Sequence, residues 1–338
     1  MMKHTGLLLL CITLLLQACA TSKKGTPDWI NGNSAEYPNS RFLIGRGEHK
    51  RQAIAQDRAR ADLAKIFQVA VNEQSRDIVK YSSKTVGKAT ISELQSEASR
   101  DISTRTEQIV EGIEIAELWQ HPKTKLHHAL AVIDRLRASS RLRQSISEQD
   151  EVTREHLAAA QNSKDMITKI GAASRAVKTQ IERDSNQRIL KIINVSGVGV
   201  PSSHNLGKLI NDRDSLIKRL HIKVKASADD LGDSERIVSG AVAKAGFSHS
   251  KSNKANYLLD VQTKMQPLED KQGWFWLRGT VDINLLDANT QENRGSHRWD
   301  IKVSGQTHAS AKKRAKSEID RLLKEELKST IISFGTPD

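Results

Sequence analysis

The sequence predicts an α+β protein with two modules, each made of helices on an antiparallel sheet, joined by an α-helical hairpin. The chain has 338 residues, and because domains average about 150 residues, two modules are expected. Apolar residues alternate with polar ones in some segments and recur every three to four residues in others, which is typical of strands and amphipathic helices respectively. These patterns place the segment boundaries at 1–18, 19–40, 41–135, 136–192 and 193–338.

The first segment has the organisation of a bacterial export signal. Lys3 precedes an apolar run over residues 7–16, which is too short to span a bilayer because a spanning helix needs about 20 apolar residues. The run ends in Leu-Gln-Ala-Cys at residues 16–19, which resembles the lipobox of bacterial lipoproteins. We therefore predict signal cleavage between Ala18 and Cys19 and lipidation of the Cys19 thiol, with palmitate among the attached acyl chains.

Lipidation at this position predicts a cellular location. Two or three acyl chains give stable membrane anchoring. By resemblance to lipoprotein sorting in Gram-negative envelopes, Asp after the lipidated cysteine retains a protein at the inner membrane, and this chain has Ala20 there. We expect the outer membrane, on its periplasmic face, with residues 19–40 as a flexible tether. Cleavage also removes Cys11, so no intramolecular disulfide is expected.

The charge of the chain limits its partners. The formal net charge is +13 and aromatic residues make up 4% of the chain. After export no nucleic-acid partner is expected, and the anionic partners that remain are lipid headgroups and cell-wall polymers such as peptidoglycan. A solvated, basic helix surface explains the same charge without a dedicated site.

The N-terminal module is predicted to contain a strand, a helix and a hairpin. Residues 42–45 form the strand, and the helix starts near Arg51. Strands over 112–119 and 126–133 then form the hairpin. For residues 73–106 we expect an extended strand leading into a helix. The apolar face of the first helix is assigned to Ala53, Ile54, Ala61, Ala64, Ile66, Phe67, Ala70 and Val71.

Two helical seams follow, separated by a turn over residues 162–165 that has N-cap chemistry. The first seam consists of Leu136, Leu142, Ile146, Val152, Leu157 and Ala160, and the second of Met166, Ile170, Ala173, Val177 and Ile181. Residues 196–201, rich in Gly and ending in Pro, break the helical period and open the last module.

The C-terminal module is predicted to have the order β-α-β-β-β-α. Four segments with a period of two lie over 222–226, 259–265, 281–285 and 299–303, which indicates an antiparallel sheet with one apolar face. A helix capped by Asp233 and ended by Gly246, together with a final helix over about residues 311–331, is expected to cover that face.

Pro-Asp-Trp-Ile at residues 27–30, Phe-Leu-Ile-Gly-Arg-Gly-Glu at 42–48 and Ala-Asp-Leu-Ala at 61–64 carry a family resemblance. Together they resemble the Lpp-twenty lipoprotein family, and the likeness extends over about residues 27–150. The N-terminal fold also looks similar to that of flagellar assembly proteins, which implies a role in envelope or flagellar assembly. The C-terminal module is similar only at the level of fold to periplasmic assembly lipoproteins.

Motifs for enzymatic chemistry are weak. Gly45 and Gly47 lie where a dinucleotide fingerprint would begin, but Lys50 replaces the third glycine, and close helix–strand packing explains both glycines. His121, His127 and His128 lack the spacing of a metal site, and no Gly-x-Ser-x-Gly elbow is present. We therefore expect no catalytic residues, no cofactor and no metal.

The aromatic cluster Trp274, Phe275 and Trp276 is the candidate contact surface. It is interpreted either as an exposed anchor for a partner or as a hairpin end folded onto the core. The sequence favours a non-enzymatic structural or assembly factor anchored to the outer membrane, whose partners are envelope or flagellar assembly proteins. The alternatives are a module that binds cell-wall glycan or polymer, and a hydrolase whose site is assembled only in space.

Overall fold

The computed structural model describes residues 25–32, 34–82, 113–227, 231–249, 255–269 and 273–336, without the side chains of 68–82. The lipidation and cleavage residues Cys19 and Ala18 therefore lie outside the described residues. The chain divides into two compact units. The first comprises Met1–Phe67 with Thr106–Ala138, and the second comprises Gln68–Arg105 with Ser139–Asp338.

The first unit contains a three-stranded antiparallel sheet with the strand order β1-β3-β2. The strands are β1 (Phe42–His49), β2 (Glu114–Gln120) and β3 (His127–Asp134), and helix α1 (Gln52–Ser82) follows β1. The predicted strand, helix start and hairpin are thus confirmed. Because α1 continues to Ser82, the strand predicted from residue 73 is wrong at its start, and residues 83–106 of that prediction lie outside the described residues.

Two glycines allow α1 to pack closely on β1. A Cβ atom on Gly45 would lie 2.5 Å from the Ala59 carbonyl oxygen, and one on Gly47 would lie 2.1 Å from the Ala55 carbonyl oxygen. Only glycine fits at such distances. Within the described side chains, the buried stripe of α1 is therefore Ala55, Ala59, Leu63 and Phe67.

This stripe corrects the predicted apolar face of α1. Ala53 and Ala61 are exposed, and Ile66 retains 36% of its accessible surface. Among the assigned residues whose side chains are described, Phe67 alone belongs to the buried stripe, and Ala70 and Val71 lie outside the described side chains. The helix contains so many small residues that apolar spacing alone does not identify the buried face.

The opposite face of this sheet is covered by the segment before β1. Trp29, in a single 3₁₀ turn (Asp28–Ile30), is 1% exposed and packs with Leu130 and Val132. The Trp29 indole Nε1 donates a hydrogen bond to Glu117 Oε2 at 2.7 Å. The tether predicted over 19–40 is therefore shorter at its C-terminal end, because Trp29 is needed to cover the sheet.

The second unit contains a five-stranded sheet with the order β5-β4-β6-β7-β8. Its strands are β4 (His221–Ala226), β5 (Ser248–His249), β6 (Tyr257–Pro267), β7 (Phe275–Asp287) and β8 (Asn293–Gly305). All four predicted strands are present. The sheet is mixed rather than antiparallel, since β4 runs parallel to β5 and β6. A helix connects β4 to the following strands, and such a crossover joins parallel neighbours.

Helices cover one face of the mixed sheet. Helix α5 (Ser234–Lys244) packs on β4, and α6 (His308–Ser333) packs on β7 and β8. Gly246 has φ +89° and ends α5, as predicted. Asp233 occupies the N-cap position without a side-chain capping bond. Its carboxylate instead accepts a hydrogen bond from Lys316 at 2.9 Å.

Three further helices follow β3 and precede β4 in the sequence. They are α2 (Arg135–Asn162), α3 (Met166–Ile193) and α4 (Leu206–Arg219). Ile167 and Ile170 of α3 join the core of the mixed sheet. The hairpin predicted over 136–192 and the module predicted over 193–338 lie in one compact unit from Ser139 onward. Helix α4 was not predicted.

The predicted seam of α2 is only partly buried. Ile146 is buried, but Leu136 is 80% exposed and Val152 is 38% exposed. Thr153, which was not assigned to the seam, is fully buried. The contacts of α2 with α3 are polar, as shown below, so an apolar pattern does not mark this interface. No helix among the described residues is long and apolar enough to cross a membrane.

The close approach of α1 to β1 gives a test of the first unit. We expect Gly47→Ala to lower its free energy of unfolding by about 1–3 kcal/mol, because the added methyl group overlaps backbone atoms. Gly240→Ala is the control, since Gly240 lies within α5 and a Cβ there would meet nothing within 4 Å. That change should stabilise by at most about 1 kcal/mol. Urea unfolding measures both changes, and hydrogen exchange in β1 and β3 should rise for Gly47→Ala alone, since Gly240 lies in the second unit. Unchanged stability and exchange in the Gly47→Ala protein would contradict the packing.

Candidate functional site

The three aromatic residues at the start of β7 divide between the two faces of the mixed sheet. Phe275 packs against the core, and its ring lies 4.2 Å from that of His308. Because side chains alternate along a strand, Trp276 lies on the opposite face. Trp274 directly precedes β7, and both tryptophans are half-buried. Phe275 is therefore part of the core, and the two tryptophans form the surface part of the cluster.

Both tryptophans are paired with cations. Lys302 Nζ lies 5.2 Å from the centroid of the Trp276 ring, and Arg314 Cζ lies 5.7 Å from that of Trp274. Arg314 also donates a hydrogen bond to the Ser304 carbonyl oxygen at 2.8 Å, which fixes its position. Cation–π pairs of this kind hold an aromatic ring in a defined orientation at a surface. The Trp276 indole Nε1 is buried and has no hydrogen-bond partner in the structure.

The tryptophans stand at one end of a polar sheet face, here called the exposed sheet face. Leu277, Val281 and Ile283 of β7 are buried, so the residues between them point to the other side of the sheet. On that side the exposed or half-buried residues are Asp260, Gln262, Lys264, Gln266, Trp276, Arg278, Thr280, Asp282, Asn284, Arg298, Asp300, Lys302 and Ser304. A flat, solvent-accessible and largely polar surface results.

Charges on the exposed sheet face are paired at its centre. Arg298 donates to Asp282 in a close ion pair, and Thr280 Oγ1 donates to Asp282 Oδ2 at 3.0 Å. Burial alone would raise the pKa of Asp282, but the hydrogen bonds from Arg298 and Thr280 lower it overall. Asp282 therefore remains ionised and tied to Arg298. Toward the Trp276 end, Arg278 and Lys302 form no ion pair with any described residue.

A polar cavity of about 180 Å³ lies beside the N-terminus of α4 and contacts the buried Arg183 and Gln180 of α3. Arg183 is 3% exposed and donates to Asp150 Oδ1 at 3.1 Å and to the carbonyl oxygens of Val200 and Pro201 at 3.0 Å. Gln180 donates to Thr153 at 2.9 Å. These bonds hold α2 and the 194–205 loop against α3, and they use the donors that a ligand would require.

A second buried network surrounds Asp165, the N-cap of α3. Its carboxylate accepts bonds from the Thr168 amide at 2.9 Å, from Arg294 at 2.9 Å and from the Tyr257 hydroxyl. Burial opposes ionisation, yet these hydrogen bonds lower the pKa of Asp165 below its usual value. Burial, and then the bond to Asp165, raises the pKa of Tyr257. The network connects α3 to β6 and β8.

The glycine and histidine candidates of the first unit have structural contacts. The Arg46 guanidinium between the two glycines donates to the carbonyl oxygens of Trp29 and Gly32. His128 Nδ1 lies 3.7 Å from Glu48 Oε2, and His121 Nδ1 accepts from the Thr124 amide at 3.1 Å. In the part of the chain that the structure describes, no group of three His, Cys, Asp or Glu residues can hold a metal ion.

Comparison with known proteins supports the prediction that this chain is a lipoprotein. The LPP20 (Lpp-twenty) lipoprotein family matches residues 27–134, which confirms the resemblance and indicates a membrane-anchored envelope lipoprotein. No curated protein sequence matches the chain significantly. The family match covers β1, β2 and β3 and excludes the mixed sheet.

Several solved structures are similar to this chain, each with a low sequence identity and a TM-score below 0.5. A protein described as a lipoprotein from Caulobacter crescentus CB15 is 18% identical, covering 35% of this chain and 93% of its own, with a TM-score of 0.27. A minor lipoprotein from Acinetobacter baumannii is 18% identical over 34% and 90%, with a TM-score of 0.25. The secreted protein HP1454 from Helicobacter pylori is 11% identical over 87% and 97%, with a TM-score of 0.42. Scores below 0.5 support no argument about function.

The pKa of Asp165 predicts a pH-dependent stability. A carboxylate whose folded pKa is lowered stabilises above its unfolded pKa of about 3.9 and loses this effect as pH falls through the folded value. Asp165→Asn keeps an N-cap oxygen but removes the charge, so we expect a loss of about 1–3 kcal/mol at neutral pH. The difference from the unchanged protein should shrink as pH falls from about 5 toward about 2. Urea unfolding at each pH measures it, and a constant difference would contradict the assignment.

Proposed function

We propose that this protein is a non-enzymatic structural or assembly factor of the cell envelope, held on the periplasmic face of the outer membrane by lipid on Cys19. The family match over residues 27–134 supports the lipoprotein class. The Leu-Gln-Ala-Cys sequence at residues 16–19 supports the lipidation site, and Ala20 supports the choice of membrane.

The observation that carries the binding role is the exposed sheet face. Two tryptophans are held half-buried at its edge by Lys302 and Arg314, and the surrounding residues are polar and solvent-accessible. Aromatic residues held rigidly beside cations are typical anchors of binding surfaces. Lipid anchoring raises the effective concentration at the membrane, so that weak contacts through this face suffice.

Envelope or flagellar assembly proteins are the first class of partner that this role requires. Cell-wall polymer is the second, and the cations of the exposed sheet face favour it. Both classes fit a factor that is fixed to the membrane at one end and binds through a folded surface at the other.

The anchor is tested by two substitutions. Cys19→Ala should abolish incorporation of labelled palmitate and release the protein from membranes, because the thiol is the acceptor of the lipid. Ala20→Asp should keep lipidation but move the protein to the inner-membrane fraction. Membrane separation on a density gradient measures both. An outer-membrane location that persists in the Cys19→Ala protein would contradict the anchor.

The binding face is tested by site-specific photo-cross-linking in cells. We expect a photoreactive residue at Gln266, on the exposed sheet face, to capture an envelope protein or cell-wall fragment identifiable by mass spectrometry. Lys313, exposed on α6, is the control position and should capture neither. Combining Trp274→Ala with Trp276→Ala should abolish capture at Gln266 while the thermal midpoint falls by only a few degrees, because both rings are half-buried. Equal capture from both positions would reject the face.

A further inference from the structure

Two cations face each other on the exposed sheet face. Arg278 of β7 and Lys302 of β8 are directly opposite in the antiparallel register, and both are exposed. Like charges in such a cross-strand pair destabilise a sheet. Neither side chain forms an ion pair with a described residue, although Asp282 and Asp300 lie nearby on the same face. Within the part of the chain that the structure describes, these two adjacent cations therefore lack a carboxylate partner.

Side chains next to the two cations provide further hydrogen-bond donors and an aromatic ring. Gln266 lies opposite Arg278 on the other side, and Lys264 is one pair further along β6. Trp276 lies two residues before Arg278 and contacts Lys302 at 5.2 Å. The half-buried ring of Trp276 therefore provides an aromatic surface beside the two cations.

The surroundings distinguish between the anionic partners of an envelope. A surface that enters a bilayer presents apolar side chains to the acyl chains. Around Arg278 and Lys302, however, the outward residues are Lys264, Gln266, Thr280, Asp300 and Ser304, all polar. A polar surface in which cations outnumber the one neighbouring carboxylate suits a hydrated polymer that carries carboxylates, sugar hydroxyls and amides.

We propose that the Arg278–Lys302 pair binds the carboxylates of peptidoglycan, with Trp276 as the adjoining aromatic contact. This inference rests on the proposed periplasmic location and names the ligand of the proposed binding face. A carboxylate that bridges the two cations removes their mutual repulsion and makes charge-assisted hydrogen bonds. The protein then links the outer membrane to the cell wall.

The test is co-sedimentation of the purified, acylated full chain in detergent with isolated sacculi. We expect Arg278→Gln combined with Lys302→Gln to weaken binding about tenfold, because two charge-assisted contacts are lost. The matched control is Lys312→Gln with Lys313→Gln, which removes the same charge from exposed positions on α6. The control should bind within about twofold of the unchanged protein. Equal weakening of both variants would show attraction by net charge alone and overturn the proposal.

Ligand chemistry is tested on the sacculus itself. Sacculi whose carboxylates have been converted to amides should bind the unchanged protein no better than untreated sacculi bind the Arg278/Lys302 variant. The thermal midpoint of that variant should stay within a few degrees of that of the unchanged protein, because relief of the repulsion offsets loss of the Lys302–Trp276 cation–π contact. Undiminished binding to amidated sacculi would overturn the carboxylate assignment.

Further arms separate this inference from the proposed function. Vesicles of phosphatidylglycerol, mixed without detergent with the non-acylated Cys19→Ala protein, test the membrane as the anionic partner. Loss of vesicle binding alone on adding the Arg278 and Lys302 changes to that protein would overturn peptidoglycan as the ligand. Capture of envelope proteins at Gln266 without any sacculus binding would also overturn it, while leaving the assembly role intact. Failure of the anchor in the Cys19→Ala experiment would instead contradict the proposed function.

Discussion

The second unit depends on one constraint: its helices cover one face of a five-stranded sheet, and the other face meets solvent. Burial of apolar surface provides the main stabilisation, so β6, β7 and β8 direct Leu259, Val281 and Ile301 toward the helices. The alternate positions must then tolerate water. Where they are polar and paired, as in Arg298 with Asp282, they need no other explanation. At Arg278 and Lys302 two cations lie opposite each other without an ion pair to any described residue, and the contact of Lys302 with Trp276 is the stabilising contact seen there.

The same constraint accounts for the two buried polar networks. Helix α3 is buried along much of its length, so the polar groups at its contacts must find partners within the protein. Arg294 Nη2 donates to Asp165 at the start of the helix, and Arg183 donates to Asp150 and to two loop carbonyl groups further along. However, Ser174 Oγ, Arg175 Nη1 and Arg294 Nε are buried without a hydrogen-bond partner among the described residues. These networks position α3 and leave the cavity beside α4 with donors already in use. They are structural, in contrast to the exposed sheet face.

A helix or strand can be predicted from the sequence only where its packing produces a recognisable pattern of apolar and polar residues. Alternation reports burial of one face, so β4, β6, β7 and β8 are recovered, but it does not report strand direction, so the parallel β4 is missed. Helix α4 is missed although Asn205 is an N-cap, with Leu206, Leu209 and Ile210 at helical spacing after it. In α1 alanines occur on several sides of the helix, and the close approach at Gly45 and Gly47 selects the buried stripe.

The candidate site shows most clearly what cannot be predicted from the sequence alone. Trp274 and Trp276 are visible in the sequence because aromatic residues are rare in this chain. Arg278 and Lys302 are 24 positions apart, and only the register of β7 with β8 places them opposite each other. A slip of one residue would move one of the pair to the buried face. Composition shows an excess of positive charge, but only the register shows that these two charges lie side by side, so the sequence alone could not identify the pair proposed to bind an anion.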